Sequence, residues 1–350
     1  MTKFVRKRWT NGIHTSTAKK YNGDMRLFLE FAQVCGMGDG EFIPEPNEEV
    51  MIFFCGWLEM VKGQSADTVK GTLSGFKSEL KKLKLRDPTK DSLGQPLQNL
   101  ARLNRGSKRT SNPAQGKKPR KGLTTDMLQV CVQDIAVRDD LAPRDKINIA
   151  SGMVMGVYGM LRIGEFTQPT QKKHDPALHA SLGDLSLTAG VPMAEFNARN
   201  AKNDPFRKET VIKMYENKSV TCPYKHAKAL LAEREGDAPD SPLFVMANGT
   251  FLTRAVLQKN MRISLQRCGF DPEEYASHSL RIGGATSLAA SGNFDSDRIR
   301  VLGRWSSDCF LRYMRQTRAM YRDASMAMAR IATVDWQTLD AKAFNPHGAE

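Results

Sequence analysis

The stretch HSLRIGG, His278 to Gly284, sets an imidazole three residues before a guanidinium. On a helix that spacing places both groups on one face. Leu280, Ile282, Ala285 and Leu288 read as the core positions beside them. A guanidinium offers paired hydrogen bonds to an oxyanion, and an imidazole can donate to the same group or carry its proton. Gly283 and Gly284 let something approach the helix backbone closely. In isolation the pair reads better as a satisfied core histidine and a surface arginine.

Other polar residues also sit where a core pattern does not ask for them. The helix-forming run MVMGVYGMLRIGEF carries Arg162 and Glu165, spaced for a salt bridge on one face. In NARNAKNDPFRKE, Asn203–Asp204–Pro205 is a turn signal, which puts Lys202 at the end of a strand on a hairpin, with Arg207 just beyond. Alone, Lys202 would be an ordinary exposed lysine. In LGRWSSDCFLRYMR, Trp305 suits a core anchor. Tyr313 follows eight residues later, where Phe310 and Leu311 can supply the packing.

The chain that must position these groups has 350 residues, enough for two domains each with its own core. Its 52 Lys+Arg against 38 Asp+Glu give a net charge of +14, which attracts polyanions, although many soluble enzymes are also basic. The six cysteines are scattered and lack a CxxC pair, which points to a reducing compartment and not to a disulfide framework. Cys222 and His226 are four apart, but no further ligand lies near them in sequence. MTKFVRKRWT has no apolar signal core and MIFFCGWL is too short to span a bilayer, so a soluble intracellular protein without membrane contact is expected.

Residues 1–104 read as a helical domain. TSTAKKYNGDMRLFLEFAQVCG offers Ser16 or Thr17 as a cap. PNEEVMIFFCGWLEMVKG follows. Then Val69, Leu73, Phe76, Leu80 and Leu83 recur at helical spacing, beside a stripe of Lys70, Lys77, Lys81 and Lys84. Such a stripe is ordinarily a solvated face, and it also suits a phosphate backbone. A helix near LQNLARLN closes the domain. Residues 105–122 hold seven basic residues, two prolines and no acid, and read as a linker; its KKPRKG (Lys117, Lys118, Arg120, Lys121) suits nuclear import or phosphate binding. From Leu123, helices near 124–138 and 144–160 precede three alternating runs, GDLSLT, AEFNAR and ETVIKM, that predict a small antiparallel sheet. Helices resume at CPYKHAKALLAERE and run to about Ile331.

Taken in order, the polar residues resemble the boxes of the tyrosine recombinases, the integrase superfamily. LRIGEF resembles the first arginine box, AKNDPFRK the lysine hairpin, HSLRIGGAT the His–x–x–Arg box and LGRWSSDCFLRYMR the last box. Many members have histidine where Trp305 stands, and tryptophan is an accepted alternative. The lysine hairpin and last box are most similar to those of eukaryotic Crypton and DIRS-type mobile elements. The resemblance implies a mainly α fold with a small antiparallel sheet. A core-binding domain (1–104) and the linker (105–122) would precede a mixed α/β catalytic domain (123–335) and a tail (336–350).

It also implies roles that the residue types suit. Arg162 and Arg281 would clamp a scissile phosphate, with His278 and the Trp305 indole N–H as further donors. Clustered cations favour the phenolate of Tyr313, whose attack would leave a 3′-phosphotyrosine; Lys202 would protonate the leaving 5′-oxygen. Glu165 would orient Arg162. The small residues after Arg281 would let the helix pack tightly below the scissile strand. The protein–DNA linkage keeps the phosphodiester's energy, so neither metal nor cofactor is needed. The implied partner is double-stranded DNA, contacted by Lys70, Lys77, Lys81, Lys84, Lys117, Lys118, Arg120, Lys121 and Arg207. A tetramer would form on paired sites, joined through the segment after Tyr313. The location would be the nucleus in a eukaryote and the cytoplasm, with DNA, otherwise. Competing readings are a type IB topoisomerase-like nicking–closing enzyme and a domesticated DNA-binding protein that has lost catalysis.

Overall fold

A computed structural model describes residues 15–37, 47–110, 120–199, 210–307 and Leu311. The chain divides into two compact units, Met1–Lys118 and Pro119–Glu350. In the first, helices α1 (Thr15–Val34), α2 (Glu48–Met60), α3 (Ala66–Lys82) and α4 (Gln98–Thr110) enclose an aromatic core. The Phe28 ring stacks on Phe76 with centroids 4.3 Å apart and meets Phe54 edge-on at 5.2 Å. Ser16 and Thr17, expected as caps, lie inside α1. A cap contributes about 1 kcal/mol, less than a buried aromatic stripe, so packing outweighs it in placing the helix. Asn47 and Ser65 do cap α2 and α3.

On α3, Val69, Leu73, Phe76 and Leu80 are buried, as their spacing predicts. Leu83 is 55 % exposed, and Lys84 leaves the lysine stripe, because the helix ends at Lys82 and Lys84 turns left-handed at φ 61°. The expected linker is helical as far as Thr110: α4 runs through Arg105, and Lys108 pairs with Asp67 at 3.0 Å.

The second unit is built on α5 (Thr125–Val137) and α6 (Pro143–Tyr158). Every residue from Asn148 to Val157 is buried. Strands β1 (Leu185–Leu187), β2 (Met193–Asn197) and β3 (Val211–Tyr215) form an antiparallel sheet in that order. Phe196 pairs with Ile212 and Ala194 with Met214, and all four are buried on one face. The mainly helical fold with a small antiparallel sheet is the class expected from the pattern. The described helices after the sheet are α8 (Pro223–Glu233), α9 (Arg254–Arg267), α10 (Ser279–Ala290) and α11 (Ser296–Leu302). Cys222 caps α8 and its Sγ accepts from the Asn217 N–H, an ordinary structural thiol.

The run MVMGVYGMLRIGEF is not one helix. α6 stops at Tyr158 and a four-residue helix, α7 (Ile163–Phe166), begins after Arg162. Between them Leu161 N–H donates to the Gly156 carbonyl and Met160 N–H to that of Val157. That pair of bonds is a Schellman stop, and Met160 takes the left-handed position at φ 44°.

Gly283 and Gly284 do meet a close neighbour, the protein's own backbone. A Cβ at 283 would collide with the Leu123 carbonyl, and one at 284 with that of Val157. The Leu123 N–H in turn donates to Ser279 O at 2.8 Å. These glycines therefore seat α10 against α6 and the start of the unit. Gly283→Ala is expected to destabilise the protein by about 1–3 kcal/mol through overpacking against rigid backbone, measurable as a lower urea midpoint.

Candidate active site

Five of the predicted site residues converge in the second unit. Arg162 is the N-cap of α7, placed there by the chain reversal at Met160. Glu165 lies in the first turn and is 2 % exposed. Its carboxylate accepts from the Arg162 backbone N–H and from Arg162 Nη1, both at 2.9 Å. It also accepts from Nη2 of Arg304 at 3.2 Å. The expected Arg162–Glu165 pair therefore forms at a helix start, where a carboxylate is favoured by the unpaired N–H groups.

His278 and Arg281 differ in burial. His278 is the N-cap of α10 and exposed, whereas Arg281, one turn in, is 1 % exposed. Arg281 Nη1 donates to the Met160 carbonyl at 3.0 Å and Nη2 to that of Gly303. Its guanidinium lies 4.5 Å from the centroid of the Trp305 ring. Two donors of the fork expected on a phosphate are thus on carbonyls. A buried cation needs such partners to offset its lost hydration. Trp305 is 8 % exposed and packs with Met160, Ala285, Ala289 and Ile299, so it is a core anchor that also covers Arg281.

Partial desolvation, and then the charges of Arg281, Arg162 and Arg254, hold the His278 pKa below the ordinary histidine value. Its ring is therefore neutral at pH 7 and able to take a proton. Because the unfolded chain binds that proton more tightly, His278 adds stability above pH 6.5 that is lost as pH falls through its folded pKa. An NMR titration of the histidine ring should give a midpoint below 6.5. Arg162→Met should move that midpoint up, since a like charge is removed; an unchanged midpoint would separate the two groups.

The sequence did not single out Arg304 or Arg254. Arg304 touches Glu165 and the Gly159 and Met160 carbonyls. Arg254 opens α9 beside His278. Arg304 stands in the LGRW box, next to Trp305, and that adjacency was the available signal.

Lys202, Arg207, Tyr313, Lys117 and Lys118 lie outside the described residues. β2 ends at Asn197, and the Ala198 N–H still donates to the Thr210 carbonyl at 3.0 Å. Arg120 and Lys121 are engaged by the second unit itself: Arg120 donates to the Glu273 carbonyl and Lys121 Nζ is 2.5 Å from Glu274. In the first unit Lys70 and Lys77, with Arg105 and Lys108, join Leu73, Leu97 and Leu100 in lining a cavity of about 390 Å³. Lys81 is exposed on the same helix.

No protein-family model matches the chain, and no curated protein sequence matches it. Solved structures do. The Tn1549 transposon integrase in complex with transposon right end DNA shares 15% identity over 94% of this chain and 98% of that one, with a TM-score of 0.59. XerH site-specific recombinase bound to a palindromic difH substrate shares 16% over 86% and 76%, with a TM-score of 0.56. A lambda integrase dimer bound to a COC′ core site shares 12% over 97% and 79%, with a TM-score of 0.54. The shared property is the fold.

Proposed function

We propose that this chain is a site-specific DNA recombinase that cleaves and rejoins strands through a covalent 3′-phosphotyrosine. The observation that carries the reading is the convergence of Arg162 and Glu165 with His278, Arg281 and Trp305, from two stretches more than 100 residues apart in sequence: Arg162 pairs with Glu165, Arg281 bonds the Met160 carbonyl and lies under Trp305, and both arginines act on the charge of His278. The DNA-bound recombinases of the same fold support it.

In this reading Arg162, whose side chain keeps 23 % exposure, presents its guanidinium to the nonbridging oxygens. Arg281 adds fixed positive charge beneath the same phosphate. The neutral ring of His278 accepts the tyrosine proton. The Tyr313 oxygen then bonds to phosphorus as the bond to the 5′-oxygen breaks, and Lys202 supplies that oxygen's proton. Rejoining runs the steps backward. Trp305 acts by holding Arg281, with an indole contact to the phosphate as its further role. Paired sites would bring four protomers together, and the similarity of the lysine hairpin and last box to Crypton and DIRS-type sequences points to a mobile element in a nucleus.

Nicked suicide substrates carrying candidate element ends test the proposal. A covalent band whose protease-resistant stub maps to a 3′-phosphate is the expected result. Relaxation of supercoiled DNA without partner exchange would instead identify a nicking–closing enzyme, and tight binding without any adduct would leave a DNA-binding protein.

A further inference from the structure

We propose that Arg304 is a positioning residue that locks Arg162 and Arg281 into one unit. The inference rests on the recombinase reading above.

α11 ends in a second Schellman stop: Trp305 N–H donates to Arg300 O at 3.0 Å and Arg304 N–H to Val301 O at 2.9 Å. Arg304 occupies the left-handed position at φ 56°. Glycine is the usual residue there, because any side chain is strained in that conformation. A glycine stands one residue earlier, at 303, where φ is an ordinary −80°. It is needed there for space, because a Cβ would strike the Trp305 ring. The strained position is thus held by an arginine for the sake of its side chain.

That side chain, 16 % exposed, reaches across to the other left-handed stop. Nη1 donates to the Gly159 carbonyl at 3.0 Å and Nη2 to the Met160 carbonyl and to Glu165 Oε2, both at 3.2 Å. The Met160 carbonyl also receives Arg281, and Glu165 also receives Arg162. Arg304 therefore shares one acceptor with each of the two phosphate-facing arginines. Its neighbour Trp305 covers Arg281 directly. Among the described residues the buried Arg304 Nε has no hydrogen-bond partner. Movement at 304 would displace both arginines together.

Arg304→Gly tests this without threatening the fold, since glycine suits that backbone. On saturating suicide DNA its adduct rate should fall about 100-fold, the cost of misplacing reacting groups by about 1 Å. DNA affinity should stay within about threefold. Arg304→Lys, with one ammonium for three acceptors, should restore a small part of the rate. Adding Glu165→Gln to Arg304→Gly should lower the rate no further than the slower single variant, because both act through one link. In protein labelled with 5-fluorotryptophan, the Trp305 signal should shift and broaden in Arg304→Gly without DNA. A wild-type cleavage rate in Arg304→Gly, or a rate loss matched by an equal loss of DNA affinity, would overturn the proposal. If the unsubstituted protein forms no adduct on any substrate, the recombinase reading falls instead. The fluorine signal then decides the link: a shift sustains it and an unchanged signal ends it.

Discussion

Tyr313→Phe is expected to abolish the covalent protein–DNA adduct while leaving DNA affinity within about fivefold, the worth of one neutral hydrogen bond. The substitution removes the nucleophilic oxygen and keeps the ring. Loss of an attacking group lowers the chemical step by at least about 10⁴-fold, because no other part of the site can replace it. Tyr321, eight residues further along in sequence, is the rival phenol. It falls outside the spacing from Trp305 that the last box implies. Denaturing gels of both tyrosine variants on the same suicide substrate check the assignment. An adduct that survives Tyr313→Phe and is lost in Tyr321→Phe would reverse it.

Glu165→Ala should cost about 3–5 kcal/mol of folding stability, the usual penalty for removing one partner of a buried ion pair. The carboxylate is 2 % exposed and serves two guanidinium groups and one backbone N–H. Without it, Arg162 and Arg304 repel each other at close range, and burial already lowers the Arg304 pKa. Glu165→Gln keeps an acceptor oxygen and should lose less. Urea unfolding of the two variants measures the difference. A loss below about 1 kcal/mol for the alanine variant would show that the arginines relax into solvent and that Glu165 holds neither in place.

The helices and the sheet were legible because burial follows periodicity. Val69, Leu73, Phe76 and Leu80 repeat at helical spacing and are buried; Ile212 and Met214 alternate and are buried. Helix ends were less legible. A stop depends on which residue takes a left-handed φ, and here Met160, Arg304 and Lys84 do so, while Gly159 and Gly303 beside two of them do not. Glycine marks the usual stop, so a stop without glycine at its left-handed position carries no sequence signal. For the same reason Lys84 was assigned to the α3 stripe, and Arg162 with Glu165 to a continuing helix.

The sequence by itself determined which chemical groups are available, their order along the chain and the fold class, because residue type and periodicity are local properties. Only the tertiary structure decided what each group faces. His278 and Arg281, three residues apart, divide between surface and interior because α10 packs Arg281 against the Met160 and Gly303 carbonyls. Arg120 and Lys121, read as free linker cations, are engaged by Glu273 and Glu274, more than 150 residues later in the chain. Arg304, unremarked in sequence, meets Glu165 across 139 residues. Contacts of that separation depend on where two backbones come to lie, and the packing of buried surfaces decides that, which no single stretch of sequence encodes.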